Sequence, residues 1–158
     1  PFEWATKAED RTRLWQARHD GYWAARGLRP GTSALATDVC VPISRLAECV
    51  TETQVDAEKT GLIAPLVGHV GDGNFHLSLL LDMNDESELK KAKSFLERLA
   101  ERALRMEGTC TGEHGVGQGK TKYLAAEHGP AAMAVMRSIK QALDPQNIMN
   151  PGKMLPAD

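Results

Sequence analysis

His69 and His76 stand on either side of Gly71-Asp72-Gly73-Asn74, and two imidazoles held side by side can share one divalent metal. An Asp-Gly pair between hydrophobic runs signals a two-residue hairpin, because both central residues can take positive φ. With Asp72 and Gly73 at the turn, the predicted register pairs Gly71 with Asn74, Val70 with Phe75 and His69 with His76. Directly opposed residues on one face have Cβ atoms roughly 4.5–5.5 Å apart. A third ligand has an obvious source in Gly112-Glu113-His114-Gly115. His, His and a carboxylate with positions left open is the ligand set of a catalytic zinc site, and imidazole also suits iron or manganese. A solvated histidine pair beside a turn is the competing reading, and spacing leaves both open. His114 could take a hydroxyl proton beside such an ion, since histidine titrates near neutral pH. It could equally be a water-exposed loop residue, as His19 and His128 are read to be.

A glycine loop follows, Gly115-Val116-Gly117-Gln118-Gly119-Lys120-Thr121. A phosphate-cradling P-loop needs glycine where this chain has His114. The dinucleotide fingerprint fails too, because its third glycine comes one residue early. A nucleotide site held by these glycines remains the non-catalytic alternative.

The elements that must position these groups follow from periodicity. Ala8 to Ala25 reads as a helix with Trp15, Arg18 and Tyr22 on one stripe, stopped by Gly27, Pro30 and Gly31. Arg18 there either snorkels past apolar neighbours or serves a ligand. Thr37 to Pro42 is a short strand candidate. Ile43 to about Lys59 is a second helix, with Ser44 as its expected N-cap. Leu62 to Met83 is the hairpin, with Ala64, Leu66, Leu77, Leu79 and Leu81 on an apolar face and Val67, His69, His76 and Ser78 on the other. Ser87 to Met106 is the clearest helix, and a last one runs from Pro130 to Leu143 with Met133, Met136, Ile139 and Leu143 inward. The tail from Asp144 to Lys153 is too rich in Pro, Asn and Gly to be helical. This order predicts an α+β fold, an antiparallel sheet covered by helices on one face, of ferredoxin-like type, forming one domain over residues 1–158.

Bulk properties narrow the partners. The 158 residues are 42% hydrophobic and 25% charged with a formal charge of −2, enough for one ordinary core and too little positive charge for a nucleic-acid partner. Lys90, Lys91 and Lys93 lie among Glu86, Glu88 and Glu97 and read as a solvated helix face. Cys40, Cys49 and Cys110 lack C-x-x-C spacing and look like thiols of a reducing compartment. No stretch approaches a membrane span. The chain opens without Met on Pro1-Phe2-Glu3-Trp4, already in a helical pattern, and reads as a piece of something longer.

Three segments in order carry a resemblance. Gly68-His69-Val70-Gly71-Asp72-Gly73-Asn74-Phe75-His76, Gly112-Glu113-His114-Gly115-Val116-Gly117, and Asp144-Pro145-Gln146-Asn147-Ile148-Met149-Asn150-Pro151-Gly152-Lys153 together resemble the C-terminal domain of FAD-linked oxidases. The branch is that of FAD-dependent D-lactate dehydrogenase and the glycolate oxidase FAD-binding subunit. Leu14-Trp15-Gln16-Ala17-Arg18-His19 and Thr37-Asp38-Val39-Cys40-Val41-Pro42 fit as well.

The resemblance implies a flavoenzyme oxidising a D-2-hydroxy acid to the 2-oxo acid. By it, His69, His76 and Glu113 correspond to divalent-metal ligands (zinc ahead of manganese or iron), His114 to the catalytic base, and Arg18 to an arginine on the substrate carboxylate. Asn150 corresponds to a residue near the flavin. It implies FAD held by an N-terminal domain that this chain does not resemble, so the chain alone should bind no flavin, should not turn over, and could self-associate through its uncovered face. The implied location is cytoplasmic in a prokaryote, at most peripheral to the membrane, and mitochondrial in a eukaryote. Two positions depart from the related D-2-hydroxyglutarate dehydrogenases, which carry lysine at the place of Ala36 and asparagine at that of Ser78; a monocarboxylate substrate fits better. A flavin-independent metallohydrolase using the same His-His-Glu set is the other alternative.

Overall fold

The computed structural model describes residues 4–155, so the helical pattern read into Pro1-Phe2-Glu3 lies outside the described residues. Trp4 to Lys7 is not helical, and the first helix, α1, spans Ala8–Gly27.

The fold is organised around one long buried strand. The strands are β1 (Ser33–Ala36), β2 (Val39–Cys40), β3 (Leu66–His69) and β4 (Asn74–Leu81). β1 and β2 pair antiparallel with β4 along one edge, Ser33 opposite Leu81, Ala36 opposite Ser78 and Val39 opposite Phe75. They are one strand in one register, interrupted at Thr37 and Asp38. Across the gap the Thr37 N–H donates to the Leu77 carbonyl at 2.9 Å, and the Leu77 N–H donates to the Thr37 hydroxyl at 2.8 Å. Sequence reasoning placed a strand from Thr37 to Pro42 and missed β1, whose Ala-rich stretch carries little β propensity.

β3 pairs with the other edge of β4, with His69 opposite Asn74 and Val67 opposite His76. The predicted two-residue turn is therefore corrected. Val70–Asp72 forms a turn of 3-10 helix, and of the predicted turn pair only Gly73 is left-handed, at φ 73°. The wider loop packs on β2: the Gly73 carbonyl accepts the Val41 N–H, and the Cys40 thiol donates to the Asp72 carbonyl. A Cβ on Gly73 would lie 2.0 Å from the Val41 carbonyl oxygen. The register differs from the expected one by two residues, and side chains alternate with a period of two. Both histidines thus still project from the same face, as diagonal rather than direct neighbours.

The opposite face is the core. Phe75, Leu77, Leu79 and Leu81 pack against Leu46 and Cys49 of α2 (Ile43–Thr60) and against Ala92, Phe95 and Leu99 of α3 (Glu86–Arg105). Each fully buried Leu or Phe contributes roughly 1.5–3 kcal/mol. This is the expected α+β arrangement. Ser44 is not the cap of α2, which follows Pro42 without a side-chain cap. α3 is capped by Asp85, whose carboxylate accepts the Ser87 and Glu88 N–H groups. The last helix, α4 (Leu124–Leu143), starts before Pro130 and is broken at Gly129 (φ 75°, ψ 171°). Met133 is buried on it, but Ile139 and Leu143 are 55% and 76% exposed, so the apolar stripe is left uncovered at these two residues. Among the described residues no helix is long and apolar enough to cross a membrane.

Asp56 ties the two core helices together. Its carboxylate accepts from Arg98 Nη2 at 2.6 Å and from Arg102 Nη2 at 2.9 Å. Burial by itself would raise the Asp56 pKa, but hydrogen bonds and charges from both arginines outweigh it and hold the group below its ordinary 3.8. A group with a depressed folded-state pKa stabilises the fold above its unfolded value and loses that contribution as pH falls toward the folded one. Asp56→Asn is expected to cost about 1–3 kcal/mol at neutral pH. In urea melts at decreasing pH, the gap between variant and parent should narrow once pH drops below about 4; a constant gap would show that the pairing does not govern acid sensitivity.

Candidate functional site

His69 closes β3 and His76 lies in β4, and their ring centroids are 5.6 Å apart at an interplanar angle of 89°. Glu113 arrives from the irregular segment after α3. Its Oε1 lies 3.0 Å from His76 Nε2 and 3.4 Å from His69 Nε2. His114 stacks on His76 at 4.9 Å, 9° from parallel, with its Nε2 3.7 Å from the same Glu113 oxygen. Arg18 reaches across from α1, its Nη2 3.0 and 3.2 Å from the two ring nitrogens of His69. Five of the six residues singled out from sequence are thus brought together. Asn150 is not: it is exposed in a turn of the tail at φ 50°, where its carbonyl accepts the Lys153 N–H.

The protonation pattern of His76 follows from its partners. Nδ1 lies 2.9 Å from the Thr37 carbonyl oxygen, which can only accept, so Nδ1 carries the proton and Nε2 a lone pair in the neutral ring. Nε2 is buried and has no hydrogen-bond partner, although the Glu113 carboxylate is 3.0 Å away. With the ring neutral, two acceptors face each other at that distance with no proton between them. A cation between them resolves the conflict, and a backbone carbonyl on the far nitrogen is the usual support of a metal-ligating histidine. His69, His76 and Glu113 have ligand atoms within 4.8 Å of one another, as do Asp38, His76 and His114. The donor set of two imidazoles and one carboxylate fits a divalent ion of the zinc or manganese type.

Asp38 is the residue that sequence reasoning missed. Its side chain is 1% exposed and sits at the break between β1 and β2. It accepts from Asn74 Nδ2 at 2.9 Å, from the Glu113 N–H at 3.1 Å and from the His114 N–H at 2.9 Å. Lys120 Nζ lies 3.3 Å from the carboxylate and 2.7 Å from the Asp38 carbonyl oxygen. Burial would push the Asp38 pKa up, yet the His114 N–H, the Asn74 amide, the Glu113 N–H and the Lys120 charge together hold it far below the usual carboxylate range. The available signal was an acid within a strand candidate, where it must find donors. Gly112 makes the approach possible, because a Cβ there would lie 1.9 Å from Asn74 Nδ2 and 2.6 Å from Asp38 Oδ1.

With Lys120 turned inward, the glycine loop offers no lysine to a phosphate. The Gly117 carbonyl is occupied by the Met154 N–H. Beside the histidines, a cavity of about 350 Å³ is lined by Arg18, Tyr22, Ala25, Leu66, Val67 and Ser78. Cys110 is buried, which with the Glu127 carboxylate pushes its thiol up to about 12, so it stays protonated and unreactive.

The family model for FAD linked oxidases, C-terminal domain, matches residues 2–154. A probable mitochondrial D-lactate dehydrogenase of Danio rerio is 56% identical over 154 residues, covering 98% of this chain and 31% of that protein. The mitochondrial D-lactate dehydrogenase [cytochrome] of Arabidopsis thaliana is 43% identical over 98% of this chain and 27% of its own length. The glycolate oxidase subunit GlcD of Bacillus subtilis is 34% identical over 98% of this chain and 32% of its own. The chain thus spans about a third of the length of the curated relatives it matches. Among solved structures, a 4-ethylphenol oxidase from Gulosibacter chungangensis in complex with isoeugenol aligns with TM-score 0.59 and 18% identity, over 96% of this chain and 32% of that one. That likeness is one of fold.

In long-range 1H–15N spectra at neutral pH, His76 is expected as the Nδ1–H tautomer with a bare Nε2. An Nε2–H pattern would remove the case for a cation between His76 and Glu113.

Proposed function

The chain belongs to the FAD-linked oxidases through their C-terminal domain, and on that premise we propose that it is the substrate- and metal-binding part of an FAD-dependent dehydrogenase acting on D-2-hydroxy acids of the D-lactate type. The observation that carries the reading is the buried, unpartnered Nε2 of His76 facing Glu113, with His69 at the same carboxylate oxygen. His69, His76 and Glu113 are the residues that hold a divalent ion. When bound, the ion supplies Lewis-acid polarisation of the substrate hydroxyl, and FAD supplies the acceptor for the Cα hydride.

The chain's own residues do the rest. Arg18 lines the cavity, and its planar guanidinium forks onto the substrate carboxylate. His114, half-exposed and held parallel to His76, takes the hydroxyl proton as the alcohol becomes a carbonyl. Ala36 and Ser78 stand opposite each other across the sheet, and Ser78 lines the cavity beside Arg18. Small neutral residues there give a second carboxylate no cation, which favours a monocarboxylate. Flavin is held by the part of the protein beyond these residues, with Asn150 near its ring. The face left for that part is a surface for self-association when it is missing. The same reading carries a mitochondrial location in a eukaryotic host and a cytoplasmic one in a prokaryote.

In the protein at its natural length, His76→Ala is expected to lose the bound ion and to lower kcat/KM for dye reduction by D-lactate at least about 100-fold, with the flavin spectrum intact. Arg18→Ala should act chiefly through KM. A His76→Ala variant that keeps both its ion and its turnover would overturn the assignment.

A further inference from the structure

We propose that Asp38 is the positioning residue of the ion site, holding Glu113 and His114 in place through their backbone N–H groups. This rests on the reading that His69, His76 and Glu113 bind a divalent ion. Glu113 and His114 lie in a segment with no helix or extended strand of its own between α3 and the short 3-10 turn at Thr121–Tyr123. Its entry is tied by the Cys40–Thr109 bridge, and later the Gly117 carbonyl accepts the Met154 N–H. Between those ties, Glu113 and His114 are anchored by Asp38. Their two N–H groups converge on its carboxylate, Thr111 Oγ1 adds a longer contact at 3.5 Å, and Lys120 closes the loop on the same group.

The neighbouring residue completes the device. The Thr37 carbonyl takes the His76 Nδ1–H and so aims Nε2 at Glu113. Two consecutive residues in one strand break therefore set the direction of a histidine in the sheet and the position of a carboxylate from a distant loop. Ligand geometry tolerates errors of only a few tenths of an ångström, and a side chain as exposed as that of Glu113, at 51%, does not supply that rigidity itself. Asp38 supplies it from below.

Asparagine at this position offers one acceptor oxygen where the carboxylate offers two, and turns an NH₂ group toward donors. Gly112→Ala leaves the carboxylate and Lys120 intact but forces the loop off them, since its Cβ would collide with Asn74 and Asp38. The test is Mn²⁺ titration by calorimetry after chelation, on the natural-length protein and the variants Asp38→Asn, Gly112→Ala and Asp56→Asn. The last is a control that loosens the α2–α3 contact without touching the site. The unsubstituted protein is expected to bind one ion per chain. Asp38→Asn and Gly112→Ala should weaken binding about 10–100-fold and lower kcat at saturating Mn²⁺, with KM for D-lactate little changed. Asp56→Asn should bind as the parent does. Should Asp38→Asn fail to fold, Gly112→Ala alone decides. Parental affinity in both site variants, or an equal loss in Asp56→Asn, overturns the positioning role while leaving the ion site standing. Absence of binding by the unsubstituted protein overturns both.

Discussion

A buried carboxylate must find donors, and that requirement shapes this domain. An ionised Asp can accept about four hydrogen bonds, and leaving it buried without them would cost several kcal/mol. Asp38 lies where the edge strand cannot continue its ladder, so its donors come from elsewhere: the Asn74 amide in β4, the N–H groups of Glu113 and His114, and the Lys120 ammonium. Satisfying one side chain draws a loop more than seventy positions away onto the end of the sheet. Glu113 then lies over His69 and His76.

The sheet separates two tasks by the alternation of its side chains. On β4, Phe75, Leu77, Leu79 and Leu81 face α2 and α3 and supply burial, while His76 and Ser78 face the other way. His76 thereby sits on a strand whose far side is close-packed, which limits how far its ring can move. α1 adds Arg18 from across an open cleft and has no buried residue of its own. Arg18 thus rides on a helix with no buried residue, while His76 rides on the strand that carries the core.

Much of this was legible in the residues. Alternating and helical periods located α1, α2, α3 and the hairpin, and three ordered motifs pointed to the FAD-linked oxidase C-terminal domain that the family match shows. The histidine pairing illustrates both reach and limit. The Asp-Gly signal suggested a two-residue turn, but packing of Val70–Gly73 on β2 widened it and moved the register by two. The juxtaposition survived because a shift of two conserves the face. Ile139 and Leu143 were misread as inward because their spacing marks an apolar stripe without saying whether anything covers it.

Local chemistry is written along the chain: which residues can ligate, which stretches alternate, where glycine is needed. That much the sequence determined alone, since period and turn preference depend on near neighbours. Only the tertiary structure decided that Glu113 meets His76, that Thr37 sets the tautomer of that ring, and that Lys120 turns inward to Asp38 instead of outward to a phosphate. Those outcomes depend on burial, and burial is a property of residues far apart in sequence that must satisfy one another at once.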